Sequence, residues 1–341
     1  MSNNVNNRVK IKFFILFFLL IVGIFFAFVI GRYPIKISEV VNVILNRVFY
    51  GVNLNEINET IIWNIRIPRI LCAILVGAGI STSGALFQGL LKNPMVSPDI
   101  LGATQASAFG VAFGILISLN FYWITAISFF CGIASVFITY TLSKIFRSDR
   151  VLGLILTGIM IGSLFSSGIS FIKLVADTDN QLPSITYWLM GSLASVGFTD
   201  IKFIFIPIVI GLIVSNLYKY EINIFTMGED EAKTLGVNTE KVRFIIIFFA
   251  TLMTASSVSV TGVIGWIGLI IPHFSRLIFG DNYKYVIPAS GLLGATFLVF
   301  VDILCRNLTT AEIPVGIVTS FIGAPIFLYL IYKKGREYDR G

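Results

Sequence analysis

Charge is scarce in this sequence. Of 341 residues only 13% are Asp, Glu, Lys or Arg, against roughly 25% in an average soluble domain, so most of the surface is not built for water. Histidine occurs once, at His273, and few carboxylates lie deep in apolar runs; proton relays and charge-coupled pumps need such groups inside the membrane. Cys72, Cys131 and Cys305 stand singly in apolar stretches, which offers neither a disulfide framework nor a thiolate metal site. They read as small buried groups. Also missing are a phosphate loop ending in Gly-Lys-Ser or Gly-Lys-Thr, a nucleophile elbow, a paired-histidine metal motif and a dinucleotide fingerprint. The chain carries no evident chemistry of its own, and no cofactor and no metal are expected.

Apolar side chains are abundant: 56% of the residues are hydrophobic, 31 of them Phe, and the mean hydropathy is +0.89. Disorder, collagen and coiled coil are excluded. Lys and Arg number 25 against 18 Asp and Glu, a net +7; in so apolar a chain this excess reads as loops facing anionic membrane lipid, with no nucleic-acid partner. Crossing roughly 30 Å of hydrocarbon takes about 20 apolar residues in a helix, the one form that satisfies its own backbone. Ten such segments can be drawn, near 11–31, 70–91, 101–118, 121–142, 151–171, 201–218, 243–262, 264–279, 286–304 and 314–332. The eighth is the weakest, being short and interrupted by Gly265, Gly268 and Pro272. The first lacks a small-residue cleavage pattern after it and reads as an uncleaved span. The expected fold is all-α: a polytopic membrane protein of about ten transmembrane helices with short surface helices, residues 1–341 forming a single transmembrane domain.

With the N-terminus inside, seventeen of the 25 basic residues fall in inner segments and eight in outer ones, which favours both termini cytoplasmic. Two outer stretches exceed simple turns. In 32–69, Ser38 can cap a short helix whose apolar face rests at the interface; in 172–200, Tyr187 and Trp188 suit a short helix in the headgroup layer.

Small residues recur every four positions at Ala73, Gly77, Ser81, Ala85 and Gly89, again at Gly158, Gly162, Ser166 and Ser170, and again at Thr251, Ala255 and Ser259. Each stripe reads either as close helix packing or as the lining of a water-filled path. Asp302 precedes Arg306 by one helical turn in the favourable acid-first order, a local ion pair. His273 has no partner ligand at metal spacing and reads as a packed, hydrogen-bonded group. The longest inner loop, 219–242, contains Gly228-Glu229-Asp230-Glu231-Ala232-Lys233-Thr234-Leu235-Gly236. Three acids suit a helix start, Ala232 and Leu235 share a face, and Gly236 can take a left-handed terminal turn. Such a helix is either a solvated connector or a knob for a partner's groove.

Several blocks resemble a known family. They are Arg66-Ile67-Pro68-Arg69, Leu75-Val76-Gly77-Ala78-Gly79, Ser83-Gly84, Gln88, Lys92-Asn93-Pro94-Met95-Val96-Ser97-Pro98 and Leu101-Gly102. Further along come Tyr187-Trp188-Leu189-Met190-Gly191-Ser192, the Gly228 to Gly236 helix, Gly265-Trp266-Ile267-Gly268-Leu269-Ile270-Ile271-Pro272-His273, Glu312-Ile313-Pro314-Val315-Gly316 and Gly323-Ala324-Pro325. In this order they are similar to the permeases that import iron-siderophores, haem and cobalamin in ATP-binding-cassette transporters. The resemblance implies a non-enzymatic, ten-span subunit in the cell (inner) membrane. Its partners would be a second permease, identical or homologous, two cytoplasmic ATPase subunits, and an external substrate-binding protein.

By the same resemblance, Gly228, Glu229, Glu231, Ala232, Leu235 and Gly236 form the helix that couples to the ATPase. Arg66, Arg69 and Arg306 dock the binding protein, although the first two could also snorkel or cap a span. The connection holding Ser143, Arg147, Ser148, Asp149 and Arg150 belongs to the inner gate, although its basic residues could equally be topogenic. The expected cargo is an iron-siderophore, with haem or cobalamin as the alternative. A secondary transporter working alone and a membrane-embedded enzyme are the rivals from other classes.

Overall fold

The computed structural model describes residues 2–50, 57–146 and 150–338. Among them there is no strand. The helices are α1 (Ser2–Val29), α2 (Ile37–Leu45), α3 (Ile57–Thr60), α4 (Ile67–Leu90), α5 (Ala103–Leu116), α6 (Phe121–Ser143), α7 (Arg150–Val175), α8 (Gln181–Leu189), α9 (Phe198–Leu217), α10 (Lys219–Met227), α11 (Glu229–Thr234), α12 (Thr239–Thr261), α13 (Ile267–Phe279), α14 (Tyr283–Asn307) and α15 (Val315–Tyr338). A wide turn, Ile61–Arg66, makes α3 and α4 one continuous rod. Among the described residues eight helices are long and apolar enough to cross a membrane, and the shorter apolar helices α5 and α13 bring the set to ten.

Several starts are fixed by asparagine. The side chains of Asn120, Asn238 and Asn282 accept hydrogen bonds from the N–H groups of Trp123, Lys241 and Lys284 at the heads of α6, α12 and α14, supplying acceptors that a helix start lacks. Ser38 has no such role: α2 begins at Ile37 behind Lys36, so Ser38 already lies in the first turn. The second surface helix, α8, begins at Gln181 and ends at Leu189, before the Met190-Gly191-Ser192 end of the block that suggested it.

At 1.5 Å per residue, α5 and α13 reach only about 20 Å, less than the hydrocarbon thickness. Chain without α-helix precedes each, at 91–102 and 262–266, and supplies the missing depth; this is why the eighth span read weakly. Backbone of this kind is tolerated at membrane depth where protein covers it. Pro98 packs on Gly268, and a side chain at Gly102 would meet Gly158 and Gly162 of α7.

The small-residue stripe of α4 is a packing surface. A β-carbon on Gly84 would stand 1.8 Å from the Gly268 carbonyl oxygen, and one on Gly77 2.3 Å from that of Gly294. The Ser81 hydroxyl donates to the Ser290 carbonyl at 2.8 Å. Backbone therefore meets backbone along α4–α13 and α4–α14, the arrangement that allows dispersion to act where lipid gives no hydrophobic drive. The α7 stripe divides: Gly158 and Gly162 rest against the Ile100–Gly102 turn, while Ser166 and Ser170 are exposed. Thr251, Ala255 and Ser259 of α12 are all buried.

Candidate functional site

At one end of the bundle the chain leaves α10, turns at Gly228, forms α11 and enters α12. Gly236, at φ +81°, supplies the left-handed stop that side chains rarely adopt. Ala232 is fully buried and Leu235 is 61% exposed. The expected shared face is therefore split, because Leu235 is the cap residue just beyond the last helical turn. Met227, Asp230, Glu231 and Leu235 are all exposed, the Glu231 carboxylate folding back over Gly228.

Glu229 is partly buried. Its Oε2 accepts from Arg243 Nη2 at 2.6 Å, and its Oε1 accepts from the Thr239 hydroxyl at 3.4 Å. The Arg243 side chain is 3% exposed and lies 5.5 Å over the Phe225 ring of α10. Three residues earlier on α12, Glu240 pairs with Arg150, the first residue of α7. Ser143 closes α6 with its hydroxyl donated to the Tyr140 carbonyl at 2.8 Å. Arg147, Ser148 and Asp149 lie outside the described residues.

At the opposite end the three arginines suggested for docking come together, and they are buried: Arg66 and Arg69 are 3% exposed and Arg306 is 6%. Arg69 Nε donates to Asp302 Oδ1 at 2.6 Å and its Nη1 to Glu312 Oε2 at 2.8 Å. Arg306 Nε lies 3.1 Å from Asp302 Oδ2, the local pair expected from the sequence, and its Nη2 reaches the Ala27 carbonyl at 3.3 Å. Arg66 donates to the carbonyls of Phe28 and Tyr33, at and beyond the end of α1. A cation belongs there, because the carbonyl end of a helix carries partial negative charge. Arg69 and Arg306 thus share two carboxylates while Arg66 holds backbone carbonyls, and together they tie the ends of α1, α4 and α14. A partner could touch them only by opening this cluster.

Between the two ends lies the break at 91–102. Thr104 and Ser97 donate to the Asp99 carboxylate, the latter at 3.4 Å, and these residues border a small cavity with Thr254 and Trp266. Asp99 has no basic partner among the described residues.

This architecture has counterparts among known proteins. Residues 19–333 match the profile of the FecCD transport family. The chain belongs to that family. It is 35% identical over 318 residues, 93% of this chain and 94% of the relative, to the molybdate import system permease protein MolB of Haemophilus influenzae. It is 36% identical over 289 residues, 82% and 84% of the two chains, to the Fe(3+)-citrate import system permease protein YfmE of Bacillus subtilis. A solved structure presented as an inward-facing metal-chelate type ABC transporter shares 36% identity and a TM-score of 0.85, over 94% of this chain and 98% of that one. The protein is a multi-pass permease subunit of an ABC importer of the FecCD type.

Three residues of this FecCD permease, Arg243, Glu312 and Asp99, were missed in the sequence, as was the second partner of Asp302. Arg243 looked topogenic, since its partner lies 14 positions away across a turn. Glu312 and Asp302 meet Arg69 from more than 230 positions away, a distance no periodicity reports. Asp99 follows Ser97-Pro98 and read as part of an inner loop; the signal that could have placed it deeper was the shortness of the apolar run from Ala103 to Leu116.

Proposed function

We propose that this permease passes a ferric chelate, an iron-siderophore, from an external binding protein to the cytoplasm. In this reading the whole chain acts as one transmembrane domain, paired with a second permease, identical or homologous. Two cytoplasmic ATPases bind at α11 and supply the energy. The α11 end, together with both termini, faces the cytoplasm of a bacterial or archaeal cell, and the arginine end faces out.

The observation that carries the reading is the form of α11: a two-turn helix set off by glycines, offering Asp230, Glu231 and Leu235 outward while Ala232 anchors it. For the cargo, the support is the Fe(3+)-citrate and metal-chelate names among the similar proteins, together with Asp99. The cavity bordered by Ser97, Asp99, Thr104, Thr254 and Trp266 presents hydroxyls, indole and one carboxylate and no basic side chain, a lining poorly suited to a small dianion. Docking of the binding protein falls on the outer surface above the arginine cluster. Its one excess guanidinium leaves a positive potential that steers acidic side chains without direct contact.

The test is uptake into vesicles holding the permease, its ATPase and its binding protein, with ferric siderophores, haemin, cobalamin and molybdate compared side by side. ATP-dependent accumulation of a ferric siderophore is the expected result. Uptake of molybdate alone overturns the cargo, and uptake that persists without the ATPase overturns the class.

A further inference from the structure

A helix that takes a push from an ATPase must pass it to something inside the membrane. Resting on the reading of α11 as that helix, the side chains beneath it show which way the push travels. The Glu229 carboxylate bonds Arg243 of α12 at 2.6 Å, its side chain 31% exposed while that of Arg243 is 3% exposed. The Arg243 guanidinium is enclosed on its other side by the Phe225 ring of α10, and its Nε and Nη1 have no acceptor among the described residues. Taking Glu229 away would leave a buried charge uncompensated, so this contact is costly to open.

The second contact has the opposite character. Glu240, on the same turn of α12, meets Arg150 at the head of α7, with side chains 65% and 38% exposed. An ion pair so exposed to water contributes little at rest and opens readily. Arg150 directly follows the connection from α6, and α7 starts close against it: a β-carbon on Gly153 would stand 2.7 Å from that of Phe146 and 3.0 Å from the Ser143 carbonyl oxygen.

We propose that the first turn of α12 is a two-contact relay, with Arg243 as its positioning residue. The closed Glu229–Arg243 pair makes α11 and α12 move as one body. The open Glu240–Arg150 pair is a releasable link from that body to the head of α7. Glu229 therefore serves the transmembrane side of the joint, and the surface offered to the ATPase is Asp230, Glu231 and Leu235.

The experiment uses the full complex in vesicles and reads two quantities, ATP hydrolysed and chelate delivered. Arg243→Ala is expected to keep ATP hydrolysis while delivery per ATP falls about tenfold, a typical size for a lost coupling between sites. Arg243→Lys, which keeps the charge, is expected to recover much of it. Glu240→Lys lies on the surface and leaves folding untouched; it is expected to lower delivery per ATP several-fold, and adding Arg150→Glu to restore it. Should Arg243→Ala fail to assemble, the Glu240→Lys and Arg150→Glu exchange decides. Unchanged delivery per ATP in Glu240→Lys, or no recovery in the exchange, overturns the relay. A wild-type complex whose ATPase does not engage α11 instead overturns the coupling-helix reading on which the relay stands.

Discussion

Replacing Arg69 by Met separates two roles that the outer arginines could play. Met keeps most of the stem's volume and removes the guanidinium, so the Asp302 and Glu312 carboxylates lose their donors at 2.6 and 2.8 Å. The side chains of Arg69 and Asp302 are only 4% and 2% exposed, so water cannot replace the lost partner. Breaking a buried pair from one side costs about 3–5 kcal/mol, and Arg306, still 3.1 Å from Asp302, holds the loss to the lower end, about 3 kcal/mol. At roughly 2 °C per kcal/mol for a chain of this size, the melting midpoint in detergent should fall by about 6 °C. Combining Arg69→Met with Asp302→Asn should cost less than the sum of the single changes, because the two groups interact directly. Binding-protein affinity, measured on the same samples below the melting range, should change little. If Arg69→Met leaves the midpoint in place and abolishes binding, the arginine is a docking contact and the account of the buried cluster fails.

The remaining predictions concern packing, the mid-depth carboxylate and orientation. Gly84→Ala must push α4 off α13 and should destabilise by about 2 kcal/mol in the same thermal assay, whereas Gly265→Ala, with open space around it, should be nearly silent. Asp99→Asn keeps the hydroxyl partners and removes a carboxylate with no basic neighbour, so stability should hold or rise. Asp99→Ala leaves the Thr104 hydroxyl without its acceptor and should cost about 1 kcal/mol, and equal effects of the two changes would contradict this assignment. On intact cells, a membrane-impermeant thiol reagent should label Ser118→Cys and spare Lys284→Cys; the reverse pattern would invert the proposed topology.

The ten spans were legible because hydropathy and helix length are local quantities. So was α11, whose terminal glycines bracket it in the sequence, and so was the Asp302–Arg306 pair, one turn apart. Other features are tertiary. The depth of α5 and α13 depends on backbone covered by neighbouring helices. The burial of Arg66 depends on where α1 ends, and the anchoring of Glu229 depends on an arginine beyond the next turn. The stripes show the limit well: equal spacing of small residues in α4 and α7 gave equal expectations, yet α4 is enclosed along its length while α7 leaves Ser166 and Ser170 uncovered.

The direct backbone contact of α4 with α13 and α14 restricts how this subunit can change shape. Two helices separated by long side chains can slide as rotamers adjust, but where a glycine abuts a carbonyl there is no such cushion, and sliding would first require the rods to lift apart. These three helices therefore travel as one solid wedge. A change in the space beside them then moves the wedge as a unit and does not shear one of its rods past another.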